Sequence, residues 1–230
     1  AMLVQGYFEM HLAQPEKGFD SLALRLLDSI ENLLIDGNNV LHELNGNKGF
    51  LDDYATFGIA LLKGYALSGV EDYVHKATQV AQEIYSKFSI DGSPFYTYSR
   101  EACARWQEVI EIEDNVIPSA NSFVAQFFME LAAYSGERTW KEKSLNMVNS
   151  IHGKVFRNGQ SFSHWLNIAL VQSYSSKEVV AIGTQPSKLL GALTNSNYWP
   201  NTLYLQSSAA GTLPLTHGRN PSENAYFVCN

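Results

Sequence analysis

Apolar residues along this chain recur mostly every three to four positions, the spacing of helices that bury one face. Positions 3, 4, 7, 8 and 10 predict a helix from Met2 to about His11, which Gln14-Pro15 ends. A second helix runs from about Lys17 to Ile35, with Phe19, Leu22, Ala23, Leu26, Leu27, Ile30, Leu33 and Leu34 on one face. Asp36-Gly-Asn-Asn closes it, because Gly and Asn accept the left-handed conformation that stops a helix. Val40 to Leu44 alternates and predicts a short strand before Asn45-Gly46. Further helices are expected over Leu51–Leu67, from Glu71 through Phe88, from Pro118-Ser119 to Ser135, from Gly136 to about His152, and over Phe162–Ser173. Between them Phe95–Tyr98 reads as a short strand, and residues 99–112 stay open between loop and helix. The period then changes. Residues 178–183, 202–206 and 225–228 read as strands, with a short helix over 187–193. The expected fold is mainly α, a helical region over 1–175 followed by a small α/β tail over 176–230.

The helical region repeats. Tyr65-Ala-Leu-Ser-Gly-Val-Glu-Asp-Tyr73 lies over Ala132-Ala-Tyr-Ser-Gly-Glu-Arg-Thr-Trp140, so Gly69 meets Gly136 and Tyr73 meets Trp140 at an offset of 67. Ala23, Leu26 and Ile30 lie over Ala77, Val80 and Ile84 at an offset of 54, with Phe19 over Tyr73. Three hairpins therefore share one plan: an apolar helix, a tight turn, an early aromatic, then a four-residue apolar rhythm. Such repeats bury their faces only against their neighbours.

Composition narrows the function without choosing it. With 230 residues, 45% hydrophobic and 17% charged, the chain can bury a substantial core. Its net charge of −7 and lack of a Lys/Arg run argue against nucleic acid and anionic membranes as partners. Twelve Tyr, twelve Phe and four Trp either fill that core or line a groove for flat ligands. Cys103 and Cys229 have neither metal nor redox spacing, so a reducing, cytoplasmic setting is expected. Cys103 lies beside Arg100 and Arg105, which would lower an exposed thiol pKa; an inert thiol is the plainer reading. No phosphate loop, zinc motif or nucleophile elbow occurs, and neither a metal nor a cofactor is expected.

Gly49-Phe-Leu-Asp-Asp-Tyr-Ala55 and Glu113-Asp-Asn-Val-Ile-Pro-Ser-Ala-Asn-Ser122 resemble the helical part of the YyaL-like proteins. These are bacterial relatives of the spermatogenesis-associated, thioredoxin-domain-containing proteins. Ala120 stands where the family's pattern has Gly. Glu178–Gly183 and Ala225-Tyr-Phe-Val-Cys229 resemble the family's late strand and its closing motif. The resemblance implies a partial (α/α)6 toroid of the six-hairpin-glycosidase type, incomplete at its N-terminus. It also implies a thioredoxin-like domain as a partner in the full-length protein.

In such a toroid the loops leading into the inner helices line a mouth where a carbohydrate ligand would bind. Asp52, Asp53 and Tyr54 open one inner helix, and Glu113, Asp114, Ser119 and Asn121 precede another. Two opposed carboxylates are the minimum for glycoside hydrolysis, and Asp53 with Asp114 is the pair expected to supply them. Asp52, Tyr54, Tyr96, Glu113, Ser119 and Asn121 are the expected substrate contacts, while Tyr98 and Trp106 either stack on a sugar or pack inward. Asp, Ser and Asn before a helix are also ordinary N-caps, and that reading stays open for each. His164 either lines the mouth or packs in the core. The rival function is a non-catalytic scaffold that docks the thioredoxin-like domain or another protein.

Overall fold

The computed structural model describes residues 1–44, 46–99, 109–174, 177–196 and 202–229, with backbone alone for 192–196. Three hairpins follow one another: α1 (Met2–Ala13) with α2 (Phe19–Leu34), α3 (Leu51–Ser68) with α4 (Asp72–Phe88), and α5 (Ala120–Ser135) with α6 (Arg138–Val155). Helix α7 (Ser163–Ser173) comes next. Helix α3 packs on α1 and α5, and α5 packs on α7, so the first helix of each hairpin forms an inner layer. Helices α2, α4 and α6 lie outside it, giving an open arc of hairpins, the layering of part of an α/α toroid.

The sequence explains the layering. Fourteen of the 18 residues of α3 are buried, because it is apolar on every side and has helices on both flanks. Helices α2 and α4 carry single apolar stripes and leave their other faces wet. Gly69 and Gly136 both adopt the left-handed conformation (φ 71° and 77°), and each ends its inner helix by donating its N–H to a carbonyl four residues back. The repeat-matched turns are therefore the same turn.

The tail forms a three-stranded sheet. Strand β3 (Glu178–Ile182) lies between β4 (Leu203–Ser207), parallel to it, and β5 (Ala225–Cys229), antiparallel. Helix α8 (Pro186–Ser196) connects β3 to β4. The two short strands Ile35–Asp36 and Asn39–Val40 pair with each other after α2. Ladder pairing there stops at Val40, with one further bridge from Leu41 to Lys48, so the strand expected over Val40–Leu44 is not formed. The strand expected over Phe95–Tyr98 is likewise reduced to a single bridge, Ser89 to Tyr96. Its backbone is used otherwise: Tyr98 accepts from the Leu51 N–H, while Tyr96 both donates to and accepts from the Asn121 amide. The segment is a strap holding the starts of α3 and α5 at one end of the arc.

The sheet covers the opposite end. Gln206 donates to the carbonyl of Leu67 (2.7 Å) and bonds His11 (3.2 Å), and Tyr134 donates to the carbonyl of Tyr204 (3.1 Å). Glu71, at the start of α4, accepts from the N–H groups of Thr212 and Leu213 and from the hydroxyls of Thr212 and Thr216. Buried residues of the helices and of β3 and β4 share one continuous core. Among the described residues no helix is long and apolar enough to cross a membrane.

Candidate functional site

The strap brings the acidic lead-ins of α3 and α5 to one end of the molecule. Around it, Phe50 stacks on Tyr98 with ring centroids 5.0 Å apart, and His42 meets the edge of Phe50 at 5.1 Å. The Tyr98 hydroxyl and the Asp52 carboxyl perturb each other's titration. Burial, with the negative fields of Asp52, Glu111 and Asp53, pushes the Tyr98 phenol up to about 12. The carboxyl of Asp52 is itself raised, by burial first and by neighbouring Asp53 second. Its Oδ1 is buried without a hydrogen-bond partner. Two lead-ins thus converge on one aromatic pair.

The expected residues divide by what they touch. Asp53 accepts from the Phe50 N–H (2.9 Å) and from His42 Nδ1 (2.9 Å), the acidic half of a capping box at the start of α3. Its bond is the main reason the half-exposed His42 imidazole is raised. Asp114 accepts from the Ser119 N–H (2.9 Å) and the Ser122 hydroxyl (3.0 Å) at α5, and from the His164 N–H (2.8 Å) at α7. Both aspartates therefore satisfy helix N–H groups that have no helical partner. Ser119 caps α5 by accepting from the Ser122 N–H. Asn121, fully buried, bonds Tyr96 twice and donates to the carbonyl of Glu111. Tyr96 packs edge-on to Phe128, where burial raises its phenol far above the usual range. Tyr54 is buried against Phe88, and its hydroxyl meets Lys87 (2.9 Å). Glu113 is exposed beside an open depression that also includes Tyr98, Asp114 and Ser161. Cys103, Trp106, Arg100 and Arg105 lie outside the described residues.

A second site, on the concave side, escaped the sequence reading. A cavity of about 350 Å³ lies between α1, α3, α5, α7 and β4. At its floor Lys63 Nζ pairs with Glu130 Oε2 at 3.0 Å, the two side chains only 13% and 9% exposed. Gln126 donates to the other Glu130 oxygen (2.8 Å), and Lys63 Nζ lies 4.9 Å from the centre of the Phe8 ring. Glu9, Asn167, His164 and Thr202 add polar groups to the lining. The repeat held the signal: Lys63 follows Glu9 by 54 positions and precedes Glu130 by 67, the two offsets of the hairpins.

With this geometry in place, similarity to known proteins gains a frame. The chain is similar to spermatogenesis-associated protein 20. To the protein of that name from Homo sapiens it is 24% identical over 175 residues, 74% of this chain and 22% of the relative. To that from Mus musculus it is 24% identical over 163 residues, 68% of this chain and 20% of the relative. The chain thus spans about a fifth of the length of these relatives. No family model matches it. The similarity agrees with the broad part of the resemblance, its link to spermatogenesis-associated proteins, and says nothing by itself about a ligand.

Proposed function

We propose that this chain is a carbohydrate-related domain of a thioredoxin-domain-containing protein, sugar-binding or hydrolase-like, that receives its ligand where the inner helices of the hairpin arc begin. One observation carries the reading: the Phe50–Tyr98 stack sits among the carboxyls of Asp52, Asp53 and Glu111 where two inner helices begin. Aromatic faces cover the C–H side of a sugar ring, and carboxylates accept from its hydroxyls. Were hydrolysis to take place here, Asp52 would be the better proton donor, since its raised carboxyl keeps a proton to higher pH than an ordinary aspartate. Asp53 and Asp114 then act as positioning residues through the N–H groups they hold.

Isothermal titration of the chain with D-glucose, D-mannose, D-galactose and N-acetyl-D-glucosamine tests the reading. At least one sugar should bind, and Tyr98→Ala should weaken it at least tenfold without unfolding the chain. No binding by any of the four sinks it.

The scaffold reading has its own support. Asp53 and Asp114 are both engaged by backbone N–H groups, and Val116 and Ile117 stand exposed between Asp114 and α5, at 95% and 48%. A thioredoxin-like domain supplied in trans should then bind this end, and Val116→Asp should abolish that binding.

A further inference from the structure

Three consecutive inner helices each place one charged side chain at the same step of the repeat: Glu9 on α1, Lys63 on α3 and Glu130 on α5. Helices that pack side by side in register bring such positions to one level. The structure shows the result, with Lys63 on Glu130 and all three lining the concave cavity. Elsewhere these inner helices are apolar, and the buried positions flanking the pair are Phe8, Leu62 and Leu131. An ion pair at that depth gives up hydration that a pair of well-packed apolar residues would not need. Its presence is not explained by stability.

We infer that this cavity is the seat of a small, uncharged, polyhydroxylated ligand, the size of one sugar ring, held by Lys63, Glu130, Gln126 and His164. The inference rests on the carbohydrate reading and adds a second seat, separate from the Phe50–Tyr98 mouth. Charge decides the ligand class. Lys63 already neutralises Glu130 at the floor, and Glu9 at the rim repels anions. What the floor does offer is a close set of donors and acceptors: an ammonium, a carboxylate and the Gln126 amide. Apolar walls from Phe8, Leu12, Ile168 and Tyr204 suit the C–H faces of a ring. The volume sits at the low end for small-molecule sites.

Two lining atoms are buried without a hydrogen-bond partner, His164 Nε2 and Thr202 Oγ1. Buried polar atoms are normally paired, so each is placed to bond a ligand hydroxyl. Burial lowers the His164 imidazole, against the opposing fields of Asp114 and Glu130, leaving it neutral at pH 7 and able to donate or accept. Asp114 fixes the backbone N–H of the same residue, which makes it a positioning residue for His164.

Methyl NMR of the chain during titration with D-glucose, D-mannose, D-galactose and N-acetyl-D-glucosamine tests the inference. The methyls of Met129 and Ile168, which line the cavity, should shift on saturation with a sugar. The Lys63→Met/Glu130→Leu double variant removes the charges while refilling the space, and the shifts should vanish with at least a tenfold loss of affinity. Tyr98→Ala should leave those methyl shifts in place. If a sugar binds by calorimetry but the Met129 and Ile168 methyls stay still, or the double variant binds as tightly, this seat is wrong while the carbohydrate reading stands. If no sugar binds by calorimetry, both fall.

Discussion

Glu71 shows how far a residue's role can depart from its local setting. By position it opens α4, where a carboxylate meets the positive end of the helix. The structure turns it instead onto Thr212, Leu213 and Thr216, residues some 140 positions away. Burial raises its carboxyl, but the hydrogen bonds from Thr212, Leu213 and Thr216 outweigh burial and leave it lowered. A lowered carboxyl stabilises fully above its unfolded value, near pH 4.5, and loses that contribution as pH falls through the folded value. Glu71→Gln should therefore cost about 1–2 kcal/mol at pH 7 in urea unfolding, with a smaller gap at about pH 4. An equal gap at both pH values would refute the assignment. Asp53, Asp114 and Ser119 were legible as helix caps, because capping chemistry is local. That Asp114 also reaches α7 was not, since only the fold brings residue 164 within reach.

At the scale of elements, the helices and the repeat could be read almost directly, because a 3.6-residue period and Ser-Gly turns are properties of short windows. Gly69 and Gly136 are the clearest case. Each takes a backbone conformation that side chains resist, and a Cβ at Gly136 would come within 2.9 Å of Pro214. Gly136→Ala should cost about 1–2 kcal/mol from the left-handed backbone alone. Thermal unfolding checks it; an unchanged or raised midpoint would show that the turn relaxes freely. The strap at 95–98 misled for a physical reason. Its alternation, Phe95-Tyr-Thr-Tyr98, matches a strand, but its N–H and C=O groups go to α3, α5 and the segment around Val109 rather than to a ladder. Pattern reports which face is apolar, not which backbone partner wins.

For the whole molecule, the distinctive feature is charge placed by symmetry. Glu9, Lys63 and Glu130 look like unrelated surface residues when each helix is taken alone, and only the stacking of three hairpins makes them a group. The acids that cluster in sequence lie in the loops, whereas the concave pair leaves no signature in any short window. The pair should behave as a coupled unit. Lys63→Met alone strands a buried carboxylate and should cost about 3–5 kcal/mol, while Lys63→Met/Glu130→Leu should recover most of that loss. A double-mutant cycle by urea unfolding checks this, and strictly additive costs would refute the coupling. The tie between His11 and Gln206 has a consequence for the order of assembly. Those residues are 195 positions apart, and Gln206 also reaches Leu67 across 139. Each hairpin closes through contacts between near neighbours, whereas the sheet must find surfaces that exist only once α1 and α3 have met. Folding is thus divided in time: the arc forms from local pieces, and roughly the last quarter of the chain locks it by docking onto α1 and α3.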